Sequence, residues 1–370
     1  MTECLTVERL AEIVLQAPLT AADCEALGHD RSWELADRHG VAELVAARLG
    51  GQQNLDPALL QRGEAITRRH LALDMAHEAQ LRRCLASLHA ADVTPVVVKG
   101  AQLAYTHYER PDLRPRLDAD VVIAEADRSR AHDALVREGY VPDVPASAGL
   151  VLHQQTYVKC LDHGLPHVVD LHWRLANPEV FGGVLGFDEM TRDAVAIDAL
   201  GDDARGLSPV HSLLVACIHR VAHHRGADRL IWLLDIHLIA SRLDEDEWKA
   251  FVKLAVDRRV AAVCTDGLER TRQLFGTPLL DCVARLTQGP TRGRPEVTAR
   301  YLERGRVVSA VVDDLRSLPS WRHRWRLVKD YAFPPVRYMR EVYAPSSGSP
   351  LAWLYFRRMV FGARRWLALS

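Results

Sequence analysis

The chain has 370 residues, of which 48% are hydrophobic and 26% are charged, and its formal net charge is -1. This composition excludes a largely disordered, collagen-like or repeat protein, and the length suits about two or three domains. No apolar run approaches the ~18 residues that cross a bilayer, so we expect a cytoplasmic protein without a transmembrane segment.

The pattern of helices and strands divides the sequence into four regions. Residues 1–90 are rich in Ala, Leu, Arg and Glu with apolar residues at helical spacing, which predicts a helical N-terminal region. Strand and helix patterns mix over residues 91–200, where two closely spaced strands favour a mixed sheet. Residues 201–290 are again helical in pattern, and residues 291–370 predict a basic helical C-terminal region. The predicted fold class is α+β, with a small mixed β-sheet core flanked by helical regions.

Two aspartates in the central region are the first candidates for chemistry. Asp118 and Asp120 lie two apart in the strand-like run RLDADVVIA, so period-2 geometry places both carboxylates on one face. Carboxylates this close repel each other unless solvent, arginine or a cation lies between them, and Mg²⁺ is well suited to that position. Taken alone, however, such a pair is more often solvated charge on an exposed strand.

Neighbouring residues strengthen the metal interpretation. Asp170 lies in another predicted strand, HVVDLHWRL, and His172 faces the same way as Asp170. A third carboxylate from a neighbouring strand would complete a two-metal site of the kind used in nucleotidyl transfer. Lys99 ends the apolar run VVVKG, where a charge is unfavourable unless it reaches a ligand or solvent. Gly100 would let the backbone approach a phosphate at the start of the next helix.

The segments VVVKGAQLAYTHY, RPDLRPRLDADVVI, AHDALVREGY and VVDLHWRL, in this order, resemble the poorly characterised bacterial nucleotidyltransferase family of the polymerase-β-like nucleotidyltransferase superfamily. The later stretch LLVACIHRVAHHRGADRLIWLLDIHLIASRL resembles its helical region, so the likeness runs from about residue 90 through most of the chain. The resemblance implies a small mixed sheet with flanking helices, two divalent cations, Mg²⁺ or Mn²⁺, and a nucleoside triphosphate such as ATP as substrate.

Position by position, the resemblance also implies roles for six residues. Asp118, Asp120 and Asp170 match the catalytic, metal-binding acids, and Lys99, Gly100 and Arg114 match positions that contact the nucleotide. The chain departs from the superfamily pattern in three places, one of which is Ala119, where a larger aliphatic residue is usual. Lys99-Gly100 stands where Gly-Ser is more common, and Leu117 stands before the acid pair where glycine is common.

Three histidines are candidate contacts to an acceptor substrate: His172, His219 and His223. His219 and His223 form an i,i+4 pair on one helical face, which with Asp235 or His237 could hold a metal, although histidines that pack the helical region are more common. No HExxH, Gly-x-Ser-x-Gly, Walker A or GxGxxG motif is present, which excludes the enzyme classes that these motifs define.

The C-terminal region differs in charge from the rest of the chain. Residues 316–370 carry a net charge of +9 and the remainder carries -10. The tail LAWLYFRRMVFGARRWLAL could make peripheral contact with an anionic membrane, hold an acidic partner, cover the active-site cleft or dock its apolar face on the helical region. Because basic and aromatic residues interleave only in this tail, we expect no stable nucleic-acid partner.

The sequence therefore predicts a metal-dependent nucleotidyltransferase. It would move a nucleoside monophosphate from the triphosphate to a hydroxyl or phosphate of an unidentified small molecule, peptide or protein, as in natural-product tailoring, and release pyrophosphate. Asp170 would also act as the base that deprotonates the acceptor, or orient that base. Two alternatives remain: a non-catalytic nucleotide- or peptide-binding protein on the same fold, and an enzyme that transfers a sugar-phosphate type group.

Overall fold

The computed structural model describes most of the chain up to residue 302 and separate positions beyond it. The described residues are 4–50, 52, 55–143, 153–222, 228–283, 286, 296–302, 321, 324–325, 328–329, 333, 336, 339–340 and 350–357.

Helices dominate both ends of the part that the structure describes, and strands lie between them. The helices are α1 (Val7–Val14), α2 (Ala21–Leu27), α3 (Asp30–His39), α4 (Ala42–Leu49), α5 (Pro57–His89), α6 (Lys99–Thr106), α7 (Arg128–Arg137), α8 (Glu179–Gly182), α9 (Phe187–Arg192), α10 (Pro209–Ala222), α11 (Leu230–Ala240), α12 (Glu245–Asp257) and α13 (Ala261–Phe275). The strands are β1 (Val96–Val98), β2 (Ala119–Val122), β3 (Val141–Pro142), β4 (Gln154–Cys160), β5 (Pro166–His172), β6 (Val195–Ala196) and β7 (Arg205–Gly206).

Local sequence explains where the long helices begin. Helix α5 begins at Pro57, which has no backbone N–H and therefore leaves no donor unpaired at the start of the helix. The Asp56 carboxylate before it accepts a hydrogen bond from the N–H of Ala58 at 2.7 Å. Helix α10 begins at Pro209, and the Ser208 hydroxyl accepts from the N–H of His211 at 3.4 Å. Ser208 therefore caps this helix.

The strands form one mixed sheet in the order β3-β4-β5-β2-β1-β7-β6. Strand β2 pairs antiparallel with β1 and parallel with β5, while β4 and β5 form an antiparallel hairpin. The mixed α+β fold class predicted from the sequence is confirmed. The runs VVVKG, RLDADVVIA and HVVDLHWRL contain β1, β2 and β5. Strands β3, β6 and β7 have two residues each and were not predicted, because so short a run carries no periodic signal.

The two faces of the sheet pack against different helices. On one face, Val121 and Val169 pack with Leu88 of α5 and Leu135 of α7. On the other face, Val96, Val98 and Val122 belong to a core shared with α1–α4 and α10–α13. The N-terminal helices and the helices after residue 208 therefore bury their apolar faces together. The division of the chain into four regions stays a prediction.

Parts of the C-terminal region are described. The side chains of Trp321, Trp325 and Trp353 are each more than half exposed, and Met339 packs with Leu354 in a small buried cluster. The rest of the predicted basic tail, including residues 358–370, lies outside the described residues. Among the described helices, none combines the length and apolar character that crossing a membrane requires.

Candidate active site

The pairing of three strands brings the predicted acids to one face of the sheet. Asp120 on β2 lies directly opposite Asp170 on β5, and its other neighbour is Val98, the last residue of β1. Since alternate residues of a strand share a face, His172 lies on the same face as Asp170. Lys99 follows Val98 and begins helix α6, so it also lies beside Asp120.

Asp120 is the centre of a buried cluster of charged and polar groups. The Nζ of Lys99 donates to Oδ1 of Asp120 at 2.6 Å, and the Nε2 of His172 lies 2.8 Å from the same oxygen. All three side chains are less than a tenth exposed. Burial raises the pKa of Asp120, but the charge of Lys99 and the hydrogen bond from His172 outweigh burial and hold this pKa well below its usual range.

His172 is held in one tautomer by this hydrogen bond. Burial, followed by the charge of Lys99, lowers the pKa of His172, so the ring is neutral near pH 7. A neutral imidazole has one N–H, and because Nε2 donates to a carboxylate, Nδ1 is left as the acceptor. Among the described residues, this buried Nδ1 has no hydrogen-bond partner.

The same cluster has the composition of a metal site. Asp120, Asp170 and His172 each offer a ligand atom, and these atoms all lie within 4.8 Å of one another. Two carboxylates suit Mg²⁺ or Mn²⁺, and an imidazole is also a good ligand for transition metals such as Mn²⁺ or Zn²⁺. The residues therefore fit a divalent cation. His172, predicted as an acceptor contact, is the third member of this group in place of Asp118.

Two residues of β4 hold Asp170 in position. The Thr156 hydroxyl donates to Oδ1 of Asp170 at 2.6 Å, and the Gln154 amide donates to Oδ2 at 3.3 Å. Both lie on the site face because β4 pairs antiparallel with β5, with Thr156 opposite Asp170. No sequence motif singled out these two residues, although strand alternation in the β4–β5 hairpin places Thr156 on a shared face with the acid.

Asp118 lies at the rim of the cluster. It precedes β2, it is exposed, and among the described residues it has no hydrogen-bond or ion-pair partner. Desolvation and the negative charges of Asp120 and Asp170 raise the pKa of Asp118 to about 7. Because the side chain keeps contact with solvent, the two carboxylates are a stronger cause of this shift than desolvation.

Arg114 is buried in an ion pair that joins the sheet region to helix α11. Its Nε and Nη2 donate to the two carboxylate oxygens of Asp235 at 2.8 and 2.7 Å, and the Tyr108 hydroxyl donates to Asp235 at 2.8 Å. A Cβ atom added to Gly100 would lie 3.1 Å from Nη2 of Arg114. The lack of a side chain at Gly100 therefore gives the guanidinium room beside the first turn of α6.

A pocket lies between the start of α6 and helices α10 and α11. Its lining includes Lys99, Gly100, Arg114, Asp235, His219 and Trp232. The ring of His219 meets that of Trp232 edge-on, with 6.0 Å between the ring centroids. His219 thus shares a pocket with the predicted nucleotide-contacting residues, whereas His223 lies outside the described residues. Among the described residues, His219 forms no metal-ligand group with Asp235 or His237.

Three comparisons with known proteins show what this chain is similar to. A family model described as "Uncharacterised nucleotidyltransferase" matches residues 25–276, which is more than half of the chain. A solved structure, "Crystal structure of JHP933 from Helicobacter pylori", matches with 14% sequence identity and a TM-score of 0.29. The match covers 66% of this chain and 93% of that one. A search of curated proteins gave no match.

Proposed function

Since the chain belongs to the uncharacterised nucleotidyltransferase family, we propose that it transfers a nucleoside monophosphate from a nucleoside triphosphate to an acceptor hydroxyl or phosphate, with release of pyrophosphate. The observation that carries this proposal is the cluster of Asp120, Asp170 and His172, whose ligand atoms lie within 4.8 Å of one another. Two acids this close on adjacent strands are costly to keep ionised unless cations balance them, and a triphosphate-metal site supplies those cations.

We propose that Asp120, Asp170 and His172 hold a divalent cation, Mg²⁺ or Mn²⁺, and that Asp118 at the rim contributes to a second. Cations bound there would neutralise charge on the triphosphate and activate the attacking oxygen. The neighbouring side chains make the protein's own contribution. Thr156 and Gln154 fix both carboxylate oxygens of Asp170, so this acid is preorganised.

The basic residues have separate roles in the proposal. Lys99 lines the pocket between α6, α10 and α11 and also contacts Asp120, so it is placed to neutralise phosphate oxygens. Arg114 is held by Asp235, which fixes its guanidinium beside Gly100 and the start of α6. Asp170 would accept the acceptor's proton or orient the group that does, because it is partly exposed and lies beside Asp120 and His172.

The test is a transfer assay with separate isotopically labelled nucleotides. The full-length protein is incubated with α-labelled ATP, CTP, GTP or UTP and a cell extract as the acceptor source, in Mg²⁺, in Mn²⁺ or in EDTA. We expect label to move to an acceptor, with release of pyrophosphate, only when a divalent cation is present. Asp170→Asn should lower transfer by at least about a hundredfold, since one cation ligand is lost.

Asp133→Asn is the matched control, because Asp133 is an exposed acid on α7, outside the cluster. Its activity should equal that of the wild type. Equal transfer by Asp170→Asn and wild type would refute the assigned site. Binding of nucleotide without any transfer would favour the non-catalytic alternative, and transfer of a sugar phosphate instead of a nucleotide would favour the other alternative.

A further inference from the structure

We propose that the ammonium group of Lys99 competes with a divalent cation for Asp120. Without the cation, the ammonium occupies an oxygen of Asp120 that the cation would use. When the cation binds, the ammonium moves to the triphosphate. This inference rests on the proposed function and adds a coupling between the two ligands. Lys99 would thus be a positioning residue that makes cation binding and triphosphate binding cooperative.

The first step of the argument is distance. The Nζ of Lys99 lies 2.6 Å from Oδ1 of Asp120, which also accepts from His172. A Mg²⁺ ion binds a carboxylate oxygen at about 2.0–2.1 Å. An ammonium and a Mg²⁺ ion on the same oxygen would therefore lie at most about 4.7 Å apart. Two positive groups that close repel where little solvent screens them, so the ammonium and the cation compete for this oxygen.

The second step is burial. The side chains of Lys99 and Asp120 are each only 9% exposed, and Asp120 is the residue with which Lys99 forms its ion pair. A buried ammonium that leaves its carboxylate needs another anion nearby, because an unpaired buried charge is unfavourable. Lys99 also lines the pocket between α6, α10 and α11. Asp235 lines the same pocket but is paired with Arg114, so in the proposed reaction the triphosphate supplies the anion that the ammonium needs.

The third step is the backbone of Lys99. Its φ angle is +55°, in the left-handed region that residues with a Cβ rarely adopt. This conformation occurs at the junction of β1 and α6, directly before Gly100. Such backbone strain persists where the surrounding structure requires it and concentrates at functional sites. Here the strained residue is Lys99, which begins α6 directly after β1 and contacts Asp120 on β2.

The consequence is positive coupling between the ligands. Without triphosphate, a cation has to displace the ammonium from Asp120, so its affinity is reduced. With triphosphate, the displaced ammonium gains a new partner, and the cation binds more tightly. By thermodynamic linkage, the cation raises the affinity for triphosphate by the same factor.

The test measures cation binding directly. Mn²⁺ is titrated into the full-length protein and followed by electron paramagnetic resonance, with and without inorganic triphosphate. We expect Lys99→Met and Lys99→Gln to bind Mn²⁺ at least about tenfold more tightly than the wild type when triphosphate is absent, because the competing charge is gone. Triphosphate should strengthen Mn²⁺ binding more in the wild type than in either variant, after correction for Mn²⁺ bound to free triphosphate.

Two further variants serve as controls. Lys99→Arg keeps the positive charge and should retain weak, triphosphate-dependent Mn²⁺ binding. Lys159→Met removes a lysine that is paired with Glu138 at 3.0 Å, away from the acids, and should bind Mn²⁺ as the wild type does. Circular dichroism checks that each variant is folded, and the two neutral substitutions at Lys99 guard against a folding defect in one of them.

The outcomes separate this inference from the proposed function. Unchanged or weaker Mn²⁺ binding in folded Lys99→Met and Lys99→Gln would overturn the inference, while transfer of label by the wild type would leave the proposed function intact. If no protein bound Mn²⁺ under any condition and no label was transferred, the proposed function and this inference would both be wrong.

Discussion

Substitution of Asp118 tests whether this acid belongs to a cation site or stabilises the folded protein. Its carboxylate has no hydrogen-bond or ion-pair partner among the described residues, and its pKa is raised from 3.8 to about 7. We therefore expect Asp118→Asn to stabilise the cation-free protein. A structural acid would behave in the opposite way, since its removal would break favourable contacts.

The magnitude follows from the pKa shift. A carboxyl with a raised pKa in the folded state favours folding when protonated, and this contribution is lost as pH rises from about 4 to about 7. A shift of this size would correspond to at most ~4 kcal/mol at pH 8. Asp118 is exposed, however, so solvent screening reduces the expected effect to about 1 kcal/mol. For 370 residues, this corresponds to about 1 °C in melting temperature.

The assay is differential scanning calorimetry in EDTA at pH 8 and pH 4, with Asp235→Asn as a contrasting variant. Asp118→Asn should melt about 1 °C above the wild type at pH 8 and close to it at pH 4. Asp235→Asn removes the carboxylate that pairs with buried Arg114, so it should cost about 3–5 kcal/mol and melt several degrees lower. A lower melting temperature for Asp118→Asn at pH 8 would refute the reasoning, because it would show that the carboxylate is stabilised in the folded protein.

Two further predictions concern residues around the site. Thr156→Val removes the hydroxyl that donates to Asp170, so Mn²⁺ affinity should fall about three- to tenfold. The control is Thr191→Val, because the Thr191 hydroxyl donates to backbone carbonyls of α9. This substitution should leave Mn²⁺ affinity unchanged. Burial, followed by the charge of His77, lowers the pKa of His167 to about 3. The unfolded chain then binds a proton below pH ~6.5 that the folded chain does not, so stability should fall as pH drops from 6.5 towards 3. His167→Gln should flatten that fall in melting curves, and an unchanged slope would contradict this cause.

Strand periodicity was enough to predict which acids share a face. Asp170 and His172 lie two apart on β5, and the prediction that they face the same way is confirmed by the cluster with Asp120. Alternation also predicted that Asp118 and Asp120 would share one strand face, but β2 begins only at Ala119. Asp118 therefore lies before the strand, at the rim. Strand ends are poorly determined by pattern alone, since the last residue of a strand differs from a loop residue only in its pairing.

Contacts between residues distant in sequence could not be predicted. Arg114 and Asp235 are on different elements, and no local pattern relates an arginine in a loop to an acid in a helix that reads as mostly apolar. The register of β2 on β5, which places Asp120 opposite Asp170, likewise depends on how the whole sheet packs. The shared core of the N-terminal helices and α10–α13 is a third case, because an apolar helical face does not indicate which partner covers it.

Lys99 and Gly100, the first two residues of α6, link these separate contacts. Lys99 reaches Asp120 on β2, and Gly100 leaves space for Arg114, which is held by Asp235 on α11. Two adjacent residues thus connect the acid cluster with the helices that line the neighbouring pocket. Because interiors are closely packed, a shift of α11 against the sheet would move the guanidinium of Arg114 against the backbone at Gly100. The position of the Lys99 ammonium therefore depends on the helical region as well as on the sheet. Lys99, Gly100 and Arg114 are structurally coupled for this reason.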